Sequence, residues 1–248
     1  MTKAVLITGA SRGIGRATAI LAGRRGWRVA ISYRSNSDAA AETARSVEQA
    51  GGQATCIQAD VGREDDVMRM FEAATAFLGP MDGMVNNAGI VAPAMPLTEM
   101  TAQRIEEMMR VNILGSYLCA REAARRMSTR AGGGGGSIVN VSSLAARTGA
   151  PGECVDYAGA KAAMDAMTLG LAKEMGPFGV RVNAVRPAFI DTEIHAVLGN
   201  AQRAHLLGGE TPLGRAGTPE EVGEAIVWLL SDAASYVTGA FIDVAGGR

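Results

Sequence analysis

The stretch AVLITGASRGIG, residues 4–15, decides the fold. Its first part, AVLIT (4–8), is a short apolar run of the kind that predicts a buried strand. The part that follows, TGASRGIG (8–15), opens a helix-like pattern. Glycines between a strand and a helix permit a tight turn and bring backbone N–H groups close to a phosphate. Because the spacing is G-x-x-x-G-x-G, an ordinary strand-to-helix turn stays open as the alternative.

The alternation of short apolar runs and helix-like segments continues along the whole chain. It predicts an α/β fold over residues 1–248: a single Rossmann-type domain with a doubly wound parallel sheet and helices on both faces. The excursion at residues 187–217 breaks the alternation, and we expect it to cover the ligand crevice beside the sheet. The predicted strands are 4–8, 28–33, 54–59, 83–88, 137–142, 180–186 and 240–244; the predicted helices lie near 13–25, 37–50, 64–78, 101–128, 156–175 and 219–231.

Composition narrows the class of protein. The 248 residues are 48% hydrophobic and 20% charged, with a net charge of −1, which fits a compact chain. Without a bulk positive field we expect no nucleic-acid and no anionic-membrane partner, and no apolar run reaches the roughly 18 residues of a membrane span. The three cysteines lack metal or CxxC spacing, and no metal cluster is apparent. The cytoplasm is the expected location.

The end of the second predicted strand indicates which dinucleotide the fold would bind. An acidic residue there would accept hydrogen bonds from a ribose 2′-hydroxyl, but this chain has Tyr33, Arg34 and Ser35, with no carboxylate before Asp38. Arg34 and Arg12 together would clamp a 2′-phosphate, and the less favoured alternative is that both are solvated surface arginines. We therefore expect NADP(H).

Tyr157 and Lys161 are the candidate chemical pair. Their spacing of four places both side chains on one face of the helix predicted near 156–175. Lowering a tyrosine pKa from about 10 to about 7 takes roughly 4 kcal/mol, and an ammonium about 4 Å away supplies an effect of that order. Tyr157 would then act as a general acid for carbonyl reduction or a base for alcohol oxidation. Alone, this spacing is common by chance.

Five motifs together resemble the short-chain dehydrogenase/reductase family over the length of the chain. Their order and intervals are closest to members similar to 3-oxoacyl-[acyl-carrier-protein] reductase and to glucose 1-dehydrogenase. The motifs are TGASRGIG (8–15), NNAG (86–89), Asn112, SIVNVSS (137–143) and YAGAK (157–161).

The resemblance implies a catalytic set. Ser143 would polarise the substrate carbonyl, with Ser142 as second choice, and Tyr157 would donate the proton. Lys161 would lower the pKa of Tyr157 and bind the nicotinamide ribose. Asn112 would hold a water that connects Lys161 to solvent.

The resemblance also implies a cofactor site along the sheet edge. Asp60 would accept from the adenine amine, NNAG would line the adenosine ribose, and the segment after the sixth strand would fix the nicotinamide amide. Ala188 stands in that segment where the family usually has glycine, which puts its backbone conformation in doubt. The full expected set is Gly9, Ser11, Arg12, Gly13, Ile14, Gly15, Tyr33, Arg34, Ser35, Asp60, Val61, Asn87, Ala88, Gly89, Tyr157, Lys161, Pro187, Ile190 and Thr192.

Several functions follow as hypotheses. The first is an NADP(H)-dependent reductase of ketones, with 3-oxoacyl thioesters as the expected substrate. A sugar or polyol dehydrogenase and a catalytically silent NADP(H)-sensing protein are the alternatives. By analogy with the family we expect a homotetramer. The basic stretch Arg121, Arg125, Arg126 and Arg130 is either a solvated helix end or a docking patch for an acidic carrier protein, and His195 and His205 are expected in the lid or against substrate.

Overall fold

Seven parallel strands form one sheet in the order β3-β2-β1-β4-β5-β6-β7. The computed structural model describes residues 2–248. The sheet order reverses between β1 and β4, which is where open parallel sheets bind ligands, beyond the carboxyl ends of the strands. The strands are β1 (Ala4–Ile7), β2 (Arg28–Tyr33), β3 (Gln53–Gln58), β4 (Gly83–Asn86), β5 (Gly136–Val141), β6 (Val180–Pro187) and β7 (Phe241–Val244).

Helices cover both faces of this sheet, as predicted. Apolar side chains of α3 and α5 pack on one face, around Phe71 and Met84. Those of α1, α2 and α10 pack on the other, around Ile7 and Ile226. The helices are α1 (Gly13–Arg24), α2 (Ser37–Gln49), α3 (Glu64–Leu78), α4 (Ala102–Met109), α5 (Gly115–Met127), α6 (Ala145–Thr148), α7 (Val155–Met175), α8 (Ile194–Val197), α9 (Arg203–Gly208) and α10 (Pro219–Leu230).

The long helix predicted over 101–128 differs from the expectation. A turn of π-helix, Arg110–Leu114, separates α4 from α5. The Asn112 side chain explains why this turn is held here, since its Oδ1 accepts from Ile90 N and its Nδ2 donates to Ile90 O, both at 2.9 Å. Turns of this kind often mark functional sites.

The excursion at residues 187–217 is also more regular than a loop. It contains α8 and α9, and an isolated bridge pairs Ile190 with Gly217 where the excursion begins and ends.

Among the helices of residues 2–248, none combines the length and the hydropathy needed to cross a bilayer.

Candidate active site

One cleft of about 920 Å³ runs along the carboxyl ends of the strands and collects nearly every candidate residue. Six parts of the chain line it: the glycine turn, the end of β2, the NNAG segment, the end of β5, the start of α7 and the excursion. Gly15 and Asn112 are the two candidates absent from this lining among residues 2–248. Four of the five motifs thus face a single cavity, and Asn112 is the exception.

The glycine turn packs directly against the NNAG segment. Asn87 Nδ2 donates to Thr8 O at 2.8 Å and to Gly9 O at 3.0 Å. A Cβ at Gly9, whose φ is +64°, would lie 2.9 Å from Ala88 Cα, and one at Gly15 would lie 2.6 Å from Asn87 Nδ2. Only glycine permits this approach. Gly15 therefore serves packing, while Gly9 and Gly13 line the cleft.

Tyr157 and Ser143 meet at one wall of the cleft. Ser143 follows β5, and its hydroxyl group beside the phenol favours the phenolate and so acts to lower the pKa of Tyr157. Burial has the larger effect and raises the pKa of Tyr157 to about 12. Ser142 points elsewhere, because its Oγ donates to Lys161 O at 3.3 Å. Of the two serines, Ser143 is the one placed against the phenol.

Lys161 is buried one turn further along α7. Its Nζ donates to Val141 O at 2.7 Å and lies 5.6 Å from the centroid of the Tyr157 ring. Burial lowers the pKa of Lys161 to about 8, and nearby Asp165 acts in the opposite direction. The expected lowering of the Tyr157 pKa is thus not what the protein's own residues produce, because desolvation of the phenolate outweighs its stabilisation.

Asn112 lies behind this pair, beyond the cleft wall. It is fully buried, and a Cβ on Gly89 would lie 2.8 Å from Asn112 Oδ1 and 3.6 Å from Lys161 Nζ. Gly89 therefore lies close to both the amide and the ammonium. The Asn112 side chain is committed to Ile90, so a water between Asn112 and Lys161 would use the Asn112 backbone.

Three charged side chains line the end of the cleft opposite Tyr157. Arg12 and Arg34 are exposed and line it, and neither forms an ion pair within residues 2–248. Asp60 also lines it and is bound from behind by Arg110, a residue that sequence analysis did not single out. No local pattern could have shown this contact, since the two residues are 50 positions apart.

The segment after β6 closes the cleft against the glycine turn. A Cβ at Gly13 would lie 3.5 Å from Thr192 Cγ2, so the two segments are neighbours. Ala188, whose conformation was in doubt, donates from its N to Val244 O at 3.2 Å. Within residues 2–248, Ala150 is the one non-glycine residue with positive φ, at 44°. Alanine is therefore accommodated at position 188 without left-handed backbone.

The excursion covers the catalytic end. His195 is buried in the lining, its Nε2 2.9 Å from Ile190 O, and burial lowers its pKa, which favours the neutral ring. His205 is exposed, 3.3 Å from Asp191. Arg203 of α9 pairs with Glu153, four residues before Tyr157, at 2.5 Å. Sequence analysis missed this pair as well, because its members are 50 residues apart.

A second cavity of about 800 Å³ lies between α5 and α7, away from the candidate residues. The basic stretch lies beside it, and nearby carboxylates neutralise part of its charge. The buried carboxylate of Glu122 pairs with Arg121, Arg125 and Arg126. The Arg130 guanidinium stacks 5.6 Å from the centroid of the Phe178 ring.

Among residues 2–248, no group of three or more His, Cys, Asp or Glu side chains is arranged to hold a metal ion.

The cleft fits a dinucleotide. Its glycine turn leaves the space that a Cβ would fill, its far end presents Arg12 and Arg34, and its other end presents Tyr157. Backbone N–H groups at the start of α1 suit a pyrophosphate, and the two guanidinium groups suit a further phosphate.

Comparisons with known proteins agree over nearly the whole chain. A family model described as enoyl-(acyl carrier protein) reductase matches residues 9–248. The uncharacterized oxidoreductase YgfF of Escherichia coli K12 is 50% identical over 98% of both chains. Cis-4-hydroxycyclohexanecarboxylate dehydrogenase of Sinomonas cyclohexanicum is 39% identical over 99% of this chain and 96% of its own. A solved short-chain type dehydrogenase/reductase from Mycobacterium marinum superposes with a TM-score of 0.87 at 34% identity, covering 98% of this chain and 94% of the other.

Proposed function

The chain belongs to the short-chain dehydrogenase/reductase family of oxidoreductases acting on alcohols and ketones, and within it we propose an NADP(H)-dependent reductase that converts a ketone into a secondary alcohol. The observation that carries the proposal is the convergence of Ser143, Tyr157 and Lys161 at one end of a cleft whose other end presents Arg12 and Arg34. A nicotinamide cofactor bound there supplies the hydride.

The protein's own residues supply the proton and orient the carbonyl. Ser143 donates to the carbonyl oxygen, and Tyr157 gives that oxygen its proton as the alkoxide forms. A pKa near 12 keeps the phenol protonated before the reaction, which is the form that a general acid requires. The phenolate left behind is stabilised by the Ser143 hydroxyl and by the Lys161 ammonium. That ammonium has three donors, of which Val141 O uses one.

The preference for NADP(H) rests on the two arginines. A guanidinium already paired with a carboxylate would gain little from a 2′-phosphate, whereas Arg12 and Arg34 have no such partner within residues 2–248. The end of β2 presents Tyr33, Arg34 and Ser35, without the carboxylate that would select a free 2′-hydroxyl.

For the substrate, a 3-oxoacyl thioester is the first candidate. The match to a family model described as enoyl-(acyl carrier protein) reductase supports the carrier-bound thioester, although an enoyl group lacks the ketone. The basic stretch adds limited support, because Glu122 and Glu64 neutralise two of its four positive charges, which leaves a net charge of +2 toward an acidic carrier.

An apolar cyclic ketone is the second candidate. Much of the catalytic end is aliphatic or aromatic, and the side chains of Glu153 and Arg203 are occupied by each other. A relative named for a hydroxycyclohexanecarboxylate supports the cyclic ring, although that compound also carries a carboxylate. A sugar or polyol would need several free hydrogen-bonding groups here, so this lining favours it less. The apolar lining includes Val91, Leu144, Pro151, Phe189, Ile194, Val197, Leu198 and Leu207.

A substrate panel tests the proposal. Purified protein is assayed for NADPH oxidation with a 3-oxobutanoyl thioester, 4-oxocyclohexanecarboxylate and its methyl ester, and for NADP⁺ reduction with glucose. Turnover of any ketone at a rate above the uncatalysed reaction supports the reductase, and the order of kcat/KM values ranks the candidates. NADPH binding without turnover of any compound would instead favour the silent sensor.

We also propose a homotetramer located in the cytoplasm. Trp228 of α10 is 40% exposed and Tyr236 is fully exposed, both in the C-terminal segment expected to face a partner subunit. Light scattering on the purified protein measures the assembly, and a monomer at micromolar concentration would contradict it.

A further inference from the structure

Asp60 lines the far end of the cleft, and Arg110 approaches it from behind. Arg110 Nη1 lies 3.1 Å from Asp60 Oδ2, and the backbone N of Gly62 donates to Asp60 Oδ1 at 2.9 Å. Within residues 2–248 the cleft lining includes Asp60 but not Arg110. Each carboxylate oxygen thus has one donor on the protein side and retains acceptor capacity toward the cleft.

A second carboxylate fixes the Arg110 guanidinium in turn. Glu107, one turn earlier in α4, receives Arg110 Nε and Nη2 at its two oxygens, both at 2.8 Å. Such a two-point contact holds the plane of a guanidinium group, which a single contact would leave free to rotate. The geometry therefore aims Nη1 at Asp60 with little freedom.

Two glycines lie where the segments around the Arg110–Asp60 contact approach each other closely. A Cβ at Gly115 would lie 2.9 Å from Val61 Cγ2 and 3.0 Å from Val61 O, so α5 touches the turn that carries Asp60. A Cβ at Gly62 would lie 2.2 Å from Arg110 Nη1. Because Gly62 does not have positive φ, its lack of a side chain is explained by the space that the guanidinium occupies.

We propose that Arg110 is a positioning residue for the cofactor, holding the Asp60 carboxylate in the orientation that accepts a hydrogen bond from the exocyclic amine of adenine. The inference rests on the proposed binding of NADPH in this cleft. Arg110 acts through Asp60 and does not touch the nucleotide. It also begins the π-helical turn that contains Asn112, so the adenine end and the catalytic end of the site share one helix.

A cofactor analogue with a 6-oxo group in place of the adenine amine, and therefore with a hydrogen on N1, gives the decisive measurement. Dissociation constants of NADPH and of reduced nicotinamide hypoxanthine dinucleotide phosphate, which has a carbonyl in place of the amine, are measured by fluorescence titration. The wild-type protein is expected to prefer NADPH by roughly tenfold or more, the range of one hydrogen bond to a charged group. Arg110→Gln is expected to bring this ratio close to one, and Arg110→Lys to restore part of it.

Gly62→Ala is the second variant, because its methyl group would displace the guanidinium and also approach Asp60 Oδ1, at 3.2 Å, while Arg110 and Asp60 both remain. We expect it to lower the same ratio. Arg25→Gln, which removes a half-exposed ion pair with Glu224 far from the cleft, is the matched control and should keep the wild-type ratio.

The outcomes separate the possible failures. If Arg110→Gln weakens both cofactors equally and keeps their ratio, Arg110 only supports the fold, and the inference is wrong. If the wild-type protein does not distinguish the two cofactors, Asp60 does not read the amine, and the inference is again wrong. If the wild-type protein binds neither cofactor, the proposed function itself fails.

Discussion

Lys161 donates from Nζ to the carbonyl oxygen of Val141 at 2.7 Å, and the same nitrogen lies 5.6 Å from the centroid of the Tyr157 ring. This contact ties the last residue of β5 to α7, so the sheet edge and the catalytic helix hold the ammonium between them. Two of its donors remain available for a ribose or a water. In the proposed mechanism the ammonium would therefore act on Tyr157 from a fixed position.

Tyr157→Phe is expected to lower kcat for ketone reduction by roughly 10²- to 10⁴-fold, the usual contribution of a positioned general acid. The dissociation constant of NADPH should stay nearly unchanged, because the aromatic ring that faces the cleft is retained. Steady-state kinetics and a fluorescence titration measure the two effects. Tyr117→Phe, at a half-exposed tyrosine of α5, is the matched control and should keep wild-type activity. Retained turnover in the Tyr157 variant would refute the proton role.

The pH dependence of ketone reduction should follow the protonation state of Lys161. Its pKa of about 8 means that the ammonium is charged below pH 8 and neutral above it, whereas Tyr157, with a pKa of about 12, stays protonated throughout. The charged form is the one that stabilises the phenolate, so kcat/KM should fall as the pH rises above about 8. A profile measured from pH 6 to roughly pH 10 tests this, since kcat/KM reports groups of the protein before substrate binds. In Lys161→Arg the remaining activity should lose the alkaline fall, because arginine stays charged. A wild-type profile that is flat across pH 8 would contradict the assignment.

Arg34→Ala is expected to weaken NADPH binding by roughly 10- to 100-fold, the value of a hydrogen bond to a charged group, and to leave NADH binding almost unchanged. The reason is that only NADPH carries the 2′-phosphate that Arg34 would contact. Dissociation constants for both cofactors provide the measurement. Arg45→Ala removes an exposed arginine from the outer side of the neighbouring α2 and serves as control. Equal losses for the two cofactors would remove the basis for assigning a phosphate site.

The elements of this fold could largely be predicted because their signals are local. The strand at 28–33 and the helix at 64–78 have the predicted bounds, since a buried parallel strand needs an uninterrupted apolar run and α3 has an apolar stripe. The π-helical turn at Arg110–Leu114 was not predictable in this way. It depends on the contact of Asn112 with Ile90, 22 residues earlier, and its sequence alone continues a helical pattern.

The candidate site likewise has parts that local sequence motifs predict and parts that depend on contacts between distant residues. The glycine turn, the NNAG segment and the Tyr157–Lys161 spacing are short motifs whose chemistry is visible in a few neighbouring residues. The pairs Arg110–Asp60 and Arg203–Glu153 join distant positions and have no local signature. The expected fall in the Tyr157 pKa required a distance and a degree of burial that spacing in a helix does not supply.

Arg104→Met is expected to lower the free energy of unfolding by about 3–5 kcal/mol. Arg104 pairs with Asp156, the residue before Tyr157, at 2.9 Å, and the Asp156 side chain is only 1% exposed. Methionine keeps much of the arginine's apolar length but leaves this carboxylate buried without its cation. Urea unfolding gives the value. Lys3→Met breaks a pair with an Asp232 side chain that is 92% exposed, and it should cost no more than about 1 kcal/mol. A loss in Arg104→Met no larger than in this control would show that the buried pair adds nothing.

The ion pair of Arg203 and Glu153 should govern how the excursion closes over substrate. Arg203 begins α9, and its Nε and Nη2 lie 3.3 and 2.5 Å from the two carboxylate oxygens of Glu153, in the segment that leads into Tyr157. The guanidinium also lies 5.4 Å from the centroid of the Phe189 ring, which lines the cleft. The pair thus joins the excursion that covers the pocket to the segment that leads into Tyr157, the proposed general acid.

Arg203→Gln and Glu153→Gln are each expected to raise KM for the ketone and lower kcat/KM by roughly three- to tenfold, the net value of one such interaction, without changing the dissociation constant of NADPH. The double variant should lose little more than either single one, since both substitutions remove the same contact; the coupling measured by this cycle should exceed about 0.5 kcal/mol. Arg215→Gln is the control for a general effect of losing an arginine from the excursion. Arg215 also forms an ion pair, but its partner Glu221 belongs to α10 and not to the segment that leads into Tyr157. Additive losses in the double variant, or an equal rise in KM for Arg215→Gln, would mean that Arg203 and Glu153 do not act as a unit on the substrate.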